Sequence, residues 1–390
     1  MGQAVATPYH APTVIIGGGV AGASAAIVLA REGREVVLLE KEPQPSHKVC
    51  GEFLSPETIP MLAKLGVDPR ALGGVPIQRV RLVSRLGWAC ADLTPAATGL
   101  SRFALDRALL DVARGHGAEI RRGCTVRGYG PDEHGYRVET TDGDVSASRV
   151  ILATGKHELP AIKVRGGVGR DAIGFMMHWE PDAAALERLG SDVLMFLYRG
   201  GYAGLCAVEG GRLNLCLIAH KKHFRRCGGS FAGLLEWLTR RRPVLGEILG
   251  HARMLWERPV TVSNIPYGYV YSEALSSRHS DGEFHVGDQF GVVPSLAGTG
   301  MALALVTGCA AARGILNGRG GHDVHQSVRE HLEPTIRFAH RIHRLCGNPV
   351  LAEIAVTGLR AAPGLLKRLV AASRVEVYPV RGSSIVPPPD

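Results

Sequence analysis

A strand, a glycine-rich turn, a helix and a second strand near the N-terminus constrain the fold of this chain more than any other feature. Residues 13–41 read as an apolar strand, four closely spaced glycines, a run of small residues and a second apolar strand that ends in an acid. Gly17, Gly19 and Gly22 fit the spacing G-x-G-x-x-G, which makes a tight turn, admits a pyrophosphate and lets the helix pack closely on the strand. Glu40 follows about 20 residues later, where an acid binds a ribose hydroxyl. The pattern predicts a dinucleotide site.

The residues that flank this signature complete the predicted site. Unpaired N–H groups and the helix dipole bind phosphate at a helix N-terminus, so we expect contacts from Val20 and Ala21, with Lys41 beside the acid. A membrane helix is the alternative, because residues 14–30 contain no charge. That run is shorter than the about 20 residues of a span and is rich in glycine, and no basic segment precedes it. We therefore expect neither a transmembrane segment nor a signal peptide.

The composition indicates a cytoplasmic protein of about two domains. The chain has 390 residues, and its eight cysteines form no C-x-x-C pair, which predicts free thiols in a reducing compartment. The formal charge of +9 is compatible with nucleic acid, an anionic membrane, an acidic partner or an anionic substrate. No nucleic-acid motif is present, and the basic runs at 221–226 and 240–242 are short. An acidic carrier protein that bears the substrate remains open as a partner.

Several later segments have recognisable periodicity. Residues 149–155 form an apolar run that ends at Gly155, which indicates another strand that points at the cofactor. Residues 101–118 predict a helix with Ser101 as its N-cap. Short β-like runs at 193–198 and 212–219 predict a separate antiparallel sheet. Residues 322–374 predict a basic helical tail. Its histidines, at 322–343, lack the supporting ligands of a metal site, so a solvated helix is predicted there and no metal is expected. Residues 350–373 are expected to pack on the body, with a membrane surface or a cover over the substrate pocket as the alternatives.

A second motif, in residues 287–300, identifies the type of cofactor. A Gly-Asp pair is followed by a proline six residues after the Asp and by glycines ten and twelve residues after it: Gly287, Asp288, Pro294, Gly298 and Gly300. With both motifs the chain resembles the glutathione-reductase-type FAD proteins. Within them it resembles the group of para-hydroxybenzoate hydroxylases, geranylgeranyl reductases and flavin-dependent halogenases. The resemblance extends to about residue 320 and implies FAD as the cofactor.

The resemblance also implies roles for individual residues. In the family the Asp binds the ribityl chain and the Pro–Gly loop runs beneath the isoalloxazine, which here places Asp288, Thr299 and Met301 at the flavin. Arg102 occupies the helix start, where the family has a cofactor-contacting Arg or Gln. The alternative is an ordinary arginine in the first turn of a helix.

The segment 47–57 resembles the K-x-C-G loop of geranylgeranyl reductases and the G-E loop of halogenases, both of which pass close to the flavin. This implies that Lys48 meets cofactor phosphate or ribose and that Gly51 allows close approach of the backbone. Cys50 and Glu52 are the catalytic candidates. Cys50 is a nucleophile, a redox thiol or an inert apolar filler. Glu52 is a base, a proton donor or a hydrogen-bonding partner within the loop.

Three departures from the family pattern bear on the electron donor and on the class of reaction. Thr154 stands where hydroxylases carry the Asp of an Asp-Gly motif, which disfavours direct recognition of NAD(P)H. The electron donor is therefore left open between NAD(P)H and a partner reductase. The chain has no W-x-W-x-I-P run and no lysine between Lys64 and Lys156, which disfavours halogenation. The redox cysteine pair of disulfide reductases is absent too.

The predicted fold is α/β, with a Rossmann-like FAD-binding domain, an inserted antiparallel β substrate domain and a C-terminal helical tail. The FAD-binding domain is expected in 10–80, 101–160 and 281–320, the substrate domain in 81–100 and 161–280, and the helical region in 321–390.

The leading functional hypothesis is an FAD-dependent monooxygenase of secondary metabolism that hydroxylates an apolar aromatic or polyketide-like small molecule through a flavin C4a-hydroperoxide. The alternatives are a reductase of isoprenoid double bonds and a flavoprotein that acts on a partner protein or a carrier-bound substrate. Tyr267, Tyr269 and Tyr271 alternate, which predicts one face of a strand. The substrate pocket is expected to contain the aromatic residues of the middle sheet: Phe175, Trp179, Phe196, Tyr198, Tyr202 and Tyr267.

Overall fold

Two β-sheets form the frame of the protein. The computed structural model describes residues 9–133, 135–159, 171–272 and 281–375. The first sheet contains β1 (Tyr9–Ile16), β2 (Val36–Glu40), β6 (Glu119–Arg122), β7 (Val126–Asp132), β8 (Gly135–Thr140), β9 (Val145–Leu152) and β16 (Glu283–His285). Its order is β6-β2-β1-β9-β8-β7, with β16 also beside β9. β1, β2, β6, β9 and β16 pair in parallel. Helices cover this parallel part, so β2 is buried along its whole length and reads as an apolar run.

The second sheet is mostly antiparallel, as predicted. It contains β3 (Phe53–Leu54), β4 (Val75–Val83), β5 (Trp88–Gly99), β10 (Ala172–Pro181), β11 (Asp192–Tyr198), β12 (Gly201–Val208), β13 (Arg212–His220), β14 (Ala252–Met254) and β15 (Val260–Ser263). Strands β11 and β13 confirm the predicted runs, and β4 with β11 is the only parallel pair among the described strands of this second sheet. Strands of this sheet occur before residue 81, within the range expected for the first domain.

Eleven α-helices connect and cover the sheets in the described part of the chain. They are α1 (Val20–Arg31), α2 (Thr58–Lys64), α3 (Arg102–Gly115), α4 (Ala183–Leu189), α5 (Lys221–Arg226), α6 (Phe231–Arg241), α7 (Pro243–Gly250), α8 (Gly300–Leu316), α9 (Gly321–Cys346), α10 (Pro349–Ala361) and α11 (Pro363–Ala372). The predicted cap of α3 is confirmed, because the Ser101 side chain accepts a hydrogen bond from the Ala104 N–H. All eight cysteines are free, also as predicted.

The two faces of the second sheet have different neighbours, and this determines which side chains reach the cofactor domain. Phe175 and Trp179 belong to the cluster packed under α5–α7, which we call the outer face. The alternate residue His178 points to the opposite, inner face, where it lies across from Asn214 in register. Tyr202 belongs to the inner-face cluster, which includes the core of the first domain.

The prediction for the three alternating tyrosines is wrong. Tyr267, Tyr269 and Tyr271 are all buried, but their segment forms a turn in which the Tyr269 N–H donates to the Pro266 carbonyl at 3.1 Å. Gly268 adopts a positive φ of 84°, and a proline and a glycine within three residues prevent a regular strand.

The tail is less solvated than predicted. The inner side of α9 is buried at Val328, Leu332 and Ile336, and His325 is 7% exposed. The His325 Nε2 accepts the His285 N–H at 2.8 Å. Burial and the nearby His285 lower the pKa of His325 to about 3. The many charged residues of α9 led to the prediction of a solvated helix, but the helix buries one stripe of side chains against the core.

Within the described residues, no single helix has the length and hydropathy of a membrane span; α10 and α11 meet the criteria only as a pair, and they are bent by 115°.

Helices α1 and α8 pack so closely that a glycine is required between them. A Cβ at Gly308 would lie 2.3 Å from the Ala21 carbonyl oxygen, well inside van der Waals contact. Ala21 lies in the first turn of α1 and Gly308 near the middle of α8, so this contact seats the start of the glycine-signature helix against the helix that begins at the predicted flavin loop.

We expect Gly308→Ala to lower the free energy of unfolding by about 1–3 kcal/mol, because backbone atoms must move apart to admit the methyl group. Gly358→Ala is the matched control. It lies inside α10 and its Cβ would meet nothing within 4 Å, so alanine should raise the free energy of unfolding by up to about 1 kcal/mol. Urea denaturation of both variants measures the difference, and equal stabilities would contradict the assigned contact.

Candidate cofactor site and active site

The glycine signature forms an open anion site at the start of α1. Gly17 has φ of 110°, and a Cβ there would lie 2.4 Å from the Ala153 carbonyl oxygen. A Cβ at Gly22 would lie 2.0 Å from the Gly17 oxygen, so the turn admits glycine alone at both positions. Gly19 is the N-cap, and no described side chain caps the helix. The backbone N–H groups of Val20 and Ala21, in the first turn of α1, are therefore available to a phosphate.

Glu40 is buried beside this turn. Its Oε2 accepts the Gly18 N–H at 2.7 Å, and its Oε1 accepts the Glu42 N–H at 3.0 Å. Each carboxylate oxygen keeps a further lone pair for a ribose hydroxyl. Lys41 lies at the surface, where its Nζ is 3.8 Å from a Glu42 oxygen.

A buried cluster of charges covers the glycine turn. The Arg102 guanidinium donates two hydrogen bonds to Asp106, at 2.8 and 2.9 Å, and Lys48 donates a third at 2.9 Å. One Arg102 nitrogen lies 3.3 Å from the Cβ position of Gly19. Although burial opposes both charges, Asp106 raises the pKa of Arg102, and Arg102 and Lys48 lower the pKa of Asp106. Two cations around one carboxylate leave a net positive charge where the pyrophosphate is expected.

The second end of the cofactor site is formed by residues 287–301. The Gly287 N–H donates to the Thr307 hydroxyl at 2.8 Å, and the Asp288 carboxylate accepts the Lys156 ammonium at 3.1 Å. Helix α8 has no capping side chain in the described structure, and the Thr299 hydroxyl is buried without a partner there. Pro294 begins a short 3₁₀ turn that ends at Gly298.

The 47–53 loop faces this second end. The Phe53 ring lies 3.0 Å from the Cβ position of Gly298. Met301, in the first turn of α8, is buried. Two uncapped helix N-termini, an orphaned Thr299 hydroxyl and the positive charge at Arg102 fit an elongated dinucleotide such as FAD.

The loop after β9 is fastened to the same region. The Gln289 amide donates to the Gly155 carbonyl at 3.0 Å and to the His157 carbonyl at 2.9 Å. The Thr154 hydroxyl donates to the His157 carbonyl at 2.8 Å. Thr154 thus serves the internal geometry of the loop.

Glu52 is fully buried at the junction of the two sheets. Its Oε2 lies 2.6 Å from the His178 Nε2, and its Oε1 accepts the Arg102 N–H at 3.0 Å. Its φ of 52° is a left-handed conformation that costs energy for a glutamate. Burial raises its pKa, although the hydrogen bond to His178 opposes the shift. A raised pKa favours the protonated, neutral form of a buried carboxyl group.

Aromatic rings enclose this pair. The His178 ring stacks on Trp256 with centroids 5.1 Å apart and meets the edge of His47 at 4.9 Å. His47 also stacks on Phe103 at 5.1 Å. Burial, then the charges of His178 and Arg212, lower the pKa of His47 to about 4, so this ring is neutral at neutral pH.

The loop that contains Cys50 is held to the inner face of the second sheet. The Asn214 amide donates to the Cys50 carbonyl at 3.0 Å, and the Cys206 thiol donates to the Gly51 carbonyl at 3.4 Å. Burial raises the pKa of Cys50, which keeps its sulfur protonated rather than nucleophilic.

A cluster of hydroxyl groups lies on the inner face near the 294–300 loop. The Tyr202 and Tyr267 oxygens are 3.2 Å apart, and Ser295 bonds both, at 2.9 Å to Tyr267. Burial raises the pKa of both tyrosines, so they are neutral hydrogen-bonding groups. The His343 ring of α9 closes over them, with centroids 5.7 and 5.3 Å away.

The other predicted pocket residues lie on the outer face. Phe175 and Trp179 line a cavity of about 830 Å³ beneath α6 and α7, and Phe196 and Tyr198 pack in the same outer cluster. The Tyr198 hydroxyl donates to the Ile218 carbonyl at 2.8 Å. The sheet therefore separates these four aromatic residues from Tyr202 and Tyr267.

Sequence reasoning missed several residues of the site. His178 could have been noticed as a polar residue inside the apolar strand β10, and Asp106 as an acid four residues after Arg102 on one helix face. The roles of His47, Lys156 and Asn214 depend on contacts between distant segments, for which the sequence carries no local signal.

We expect Arg102→Gln to weaken FAD binding about 10- to 100-fold, because a charge-assisted hydrogen bond to phosphate contributes about 1.5–3 kcal/mol. Arg107→Gln is the control on the same helix, since its side chain is 64% exposed and pairs only loosely with Asp111 at 3.7 Å. Fluorescence titration of the apoprotein with FAD measures both. Equal affinities of the two variants would remove Arg102 from the cofactor site.

Glu52 should make stability fall as pH rises. Its folded-state pKa lies above its ordinary value of 4.5, so the stability that it contributes is fully present below pH 4.5 and is lost as the pH rises through the folded-state pKa. Glu52→Gln stays neutral and should be more stable than wild type by about 1–3 kcal/mol at high pH, with no difference in acid. Glu236→Gln, on the surface, should show neither effect. Urea denaturation midpoints, measured below pH 4.5 and at successively higher pH, give the stability of each variant. Parallel curves of midpoint against pH for wild type and Glu52→Gln would contradict the raised pKa.

Comparisons with known proteins agree with this cofactor. Residues 10–157 match the family described as FAD binding domain. A menaquinone reductase of Mycolicibacterium smegmatis is 30% identical over 155 residues, 37% of this chain and 38% of that protein. A flavin-dependent halogenase of Armillaria mellea is 29% identical over 170 residues, 39% and 32% of the two chains. The chain thus spans about a third of the length of these relatives. A menaquinone reductase of Mycobacterium tuberculosis aligns further, at 24% identity over 77% of this chain and 76% of that protein.

Solved structures share the fold. The flavin-dependent brominase Bmp2 superimposes with a TM-score of 0.75 at 16% identity, covering 94% of this chain and 95% of that one. A geranylgeranyl bacteriochlorophyll reductase-like protein of Thermoplasma acidophilum superimposes with a TM-score of 0.74 at 18% identity, covering 94% and 96%. The predicted α/β fold is confirmed. These matches support the predicted FAD-dependent oxidoreductase, because residues 10–157 match the FAD binding domain and the relatives include a flavin-dependent halogenase and an FAD-dependent monooxygenase.

Proposed function

We propose that this protein is an FAD-dependent monooxygenase that hydroxylates an apolar aromatic or polyketide-like small molecule. The observation that carries the proposal is the hydroxyl cluster of Tyr202, Tyr267 and Ser295, which lies at the loop expected beneath the isoalloxazine. Both tyrosines belong to the buried apolar cluster, and buried hydroxyls among apolar side chains suit a substrate with one or two oxygen atoms on an apolar ring. Bound FAD would supply the activation of dioxygen.

The residues of the cluster have separate tasks in this proposal. Tyr202 and Tyr267, neutral because burial raises their pKa values, donate hydrogen bonds to a phenolic oxygen of the substrate. Although burial opposes it, Asp288 and Tyr267 raise the pKa of Lys156, which therefore stays charged. A fixed ammonium beside the cluster favours negative charge on the phenolic oxygen, which makes the ring more reactive toward an electrophilic oxygen.

Glu52 and His178 hold a proton on the other side of the 47–53 loop. A proton shared between the Glu52 Oε2 and the His178 Nε2 is shielded from solvent, because both side chains are fully buried. The Arg102 backbone N–H fixes the orientation of the carboxyl group. This pair can therefore return a proton to the flavin site after each turnover. The electron donor in this proposal is NAD(P)H or a partner reductase.

A second candidate is the reduction of an isoprenoid double bond. It is favoured by the similarity to menaquinone reductases, which extends over 77% of this chain in one case, and by the buried proton at Glu52. Reduction of a carbon–carbon double bond needs a hydride and a proton, and a carboxyl group with a raised pKa is a suitable proton donor.

One assay separates these functions. Protein loaded with FAD is reduced and incubated with a 5-alkylresorcinol under isotopically labelled dioxygen, with and without bromide, and in parallel with a menaquinone in the absence of oxygen. One labelled oxygen atom in the resorcinol product supports the monooxygenase. A brominated product would assign the protein to halogenation. Saturation of the menaquinone side chain without oxygen would assign it to the reductases.

The hydroxyl cluster gives a sharper prediction. We expect Tyr267→Phe to lower kcat/KM for the resorcinol about 10- to 100-fold, because one hydrogen bond to a developing phenolate is lost. Tyr198→Phe is the matched control, since it removes a buried tyrosine hydroxyl on the outer face of the same sheet. Steady-state kinetics of both variants measure the effect. A larger loss in Tyr198→Phe would move the substrate site to the outer face.

A further inference from the structure

The C-terminal helices α9, α10 and α11 present an exposed apolar surface. On α9 and α10 the exposed apolar side chains are Leu345 (52% exposed), Val350 (64%), Leu351 (43%) and Ile354 (63%), and Leu365 on α11 is 51% exposed. We call these five residues, with Leu86 and Trp88, the C-terminal face. Isolated exposed leucines are ordinary, but a contiguous group of large apolar side chains marks a contact surface.

Packing of α10 onto the protein does not require this surface. Ala352, Val356 and Leu359 are buried and form the stripe that packs α10 against the body. Leu351 and Ile354 lie on the other side of the helix. From residue 347 to residue 359 every exposed position is uncharged. A solvated helix face normally carries charges, so this face lacks the composition of one that contacts only water.

The antiparallel hairpin of β4 and β5, whose turn contains Arg85 and Leu86, extends the same surface. The Glu353 carboxylate accepts the backbone N–H groups of Arg85, at 2.6 Å, and Leu86, at 3.0 Å. These bonds hold the hairpin against α10 and use the only acid of the helix. Leu86 is 63% exposed and Trp88 is 49% exposed, with the Arg81 guanidinium 5.1 Å from the centre of the Trp88 ring.

Cations surround the apolar centre. Arg344 precedes it, Arg360 follows it, Arg85 lies on the hairpin, and Lys367 and Arg368 lie on α11; all five are exposed. An apolar centre with a tryptophan and a basic rim matches the interfacial zone of a bilayer with anionic headgroups. A second copy of this chain is a poorer match, because a two-fold contact would bring the two basic rims together.

We propose that the C-terminal face binds to the surface of an anionic lipid bilayer, with α10 and α11 lying in the interface. The inference does not depend on which reaction the flavin site performs. The face lies close to the hydroxyl cluster, because Leu345 and His343 belong to the last turn of α9 and the His343 ring covers Tyr202 and Tyr267.

Sedimentation of the full-length protein with vesicles tests this proposal. We expect binding to vesicles of phosphatidylcholine mixed with phosphatidylglycerol, much weaker binding to phosphatidylcholine alone, and loss of binding as salt is raised. Val350→Asp combined with Ile354→Asp should weaken binding at least about tenfold, because two charges enter the apolar centre. Arg360→Gln combined with Arg368→Gln should weaken binding to the anionic vesicles alone.

Leu186→Asp is the control, since Leu186 is an exposed leucine on α4, outside this face. Retained FAD content and unchanged circular dichroism show that each variant is folded. Absence of vesicle binding by the wild type, or equal binding by the aspartate variant, overturns the proposal. Sedimentation velocity gives a further overturning result, namely a wild-type dimer that the aspartate variant dissociates without any vesicle binding.

Discussion

The carboxyl group of Glu52 joins the parts of the protein that must stay in register for a cofactor to bind. One oxygen holds the first N–H of α3, which carries Arg102, and the other holds His178 in the second sheet. The residue itself belongs to the loop that faces the predicted flavin. Because all three segments meet at one buried group, the left-handed backbone of Glu52 can be maintained by its surroundings. The position of Arg102, which we expect at the phosphate, thus depends on the same carboxyl group whose pKa burial raises.

The parts of this structure that were predictable are those with local rules. The glycine signature, the cap of α3 and the antiparallel strands each follow from spacing or turn chemistry within about 20 residues. The family resemblance supplied the flavin loop at residues 287–300. By contrast, the sequence does not show that Lys48 contacts Asp106 or that Lys156 contacts Asp288, because these contacts form only when the fold brings distant segments together.

The aromatic residues of the middle sheet show where such rules end. Strand periodicity states that Phe175 and Trp179 share a face, but it does not state which face meets the flavin domain. The structure gives both faces an apolar covering, α5–α7 on one side and the first domain on the other, so hydrophobicity alone could not decide. Among the buried residues of that strand only His178 is polar, and it points inward.

Helix α9 has a consequence for how the protein is divided into parts. Its 26 residues span about 39 Å. It begins where a Cβ at Gly321 would lie 2.1 Å from the Glu283 backbone, and it ends at the ring that covers the tyrosine hydroxyls. The helix thus packs on the last strand of the first sheet at one end and covers the tyrosine hydroxyls at the other. A chain cut at residue 320 would expose the last strand of the first sheet to water, so the C-terminal region is an integral part of the flavoprotein and not an appended module.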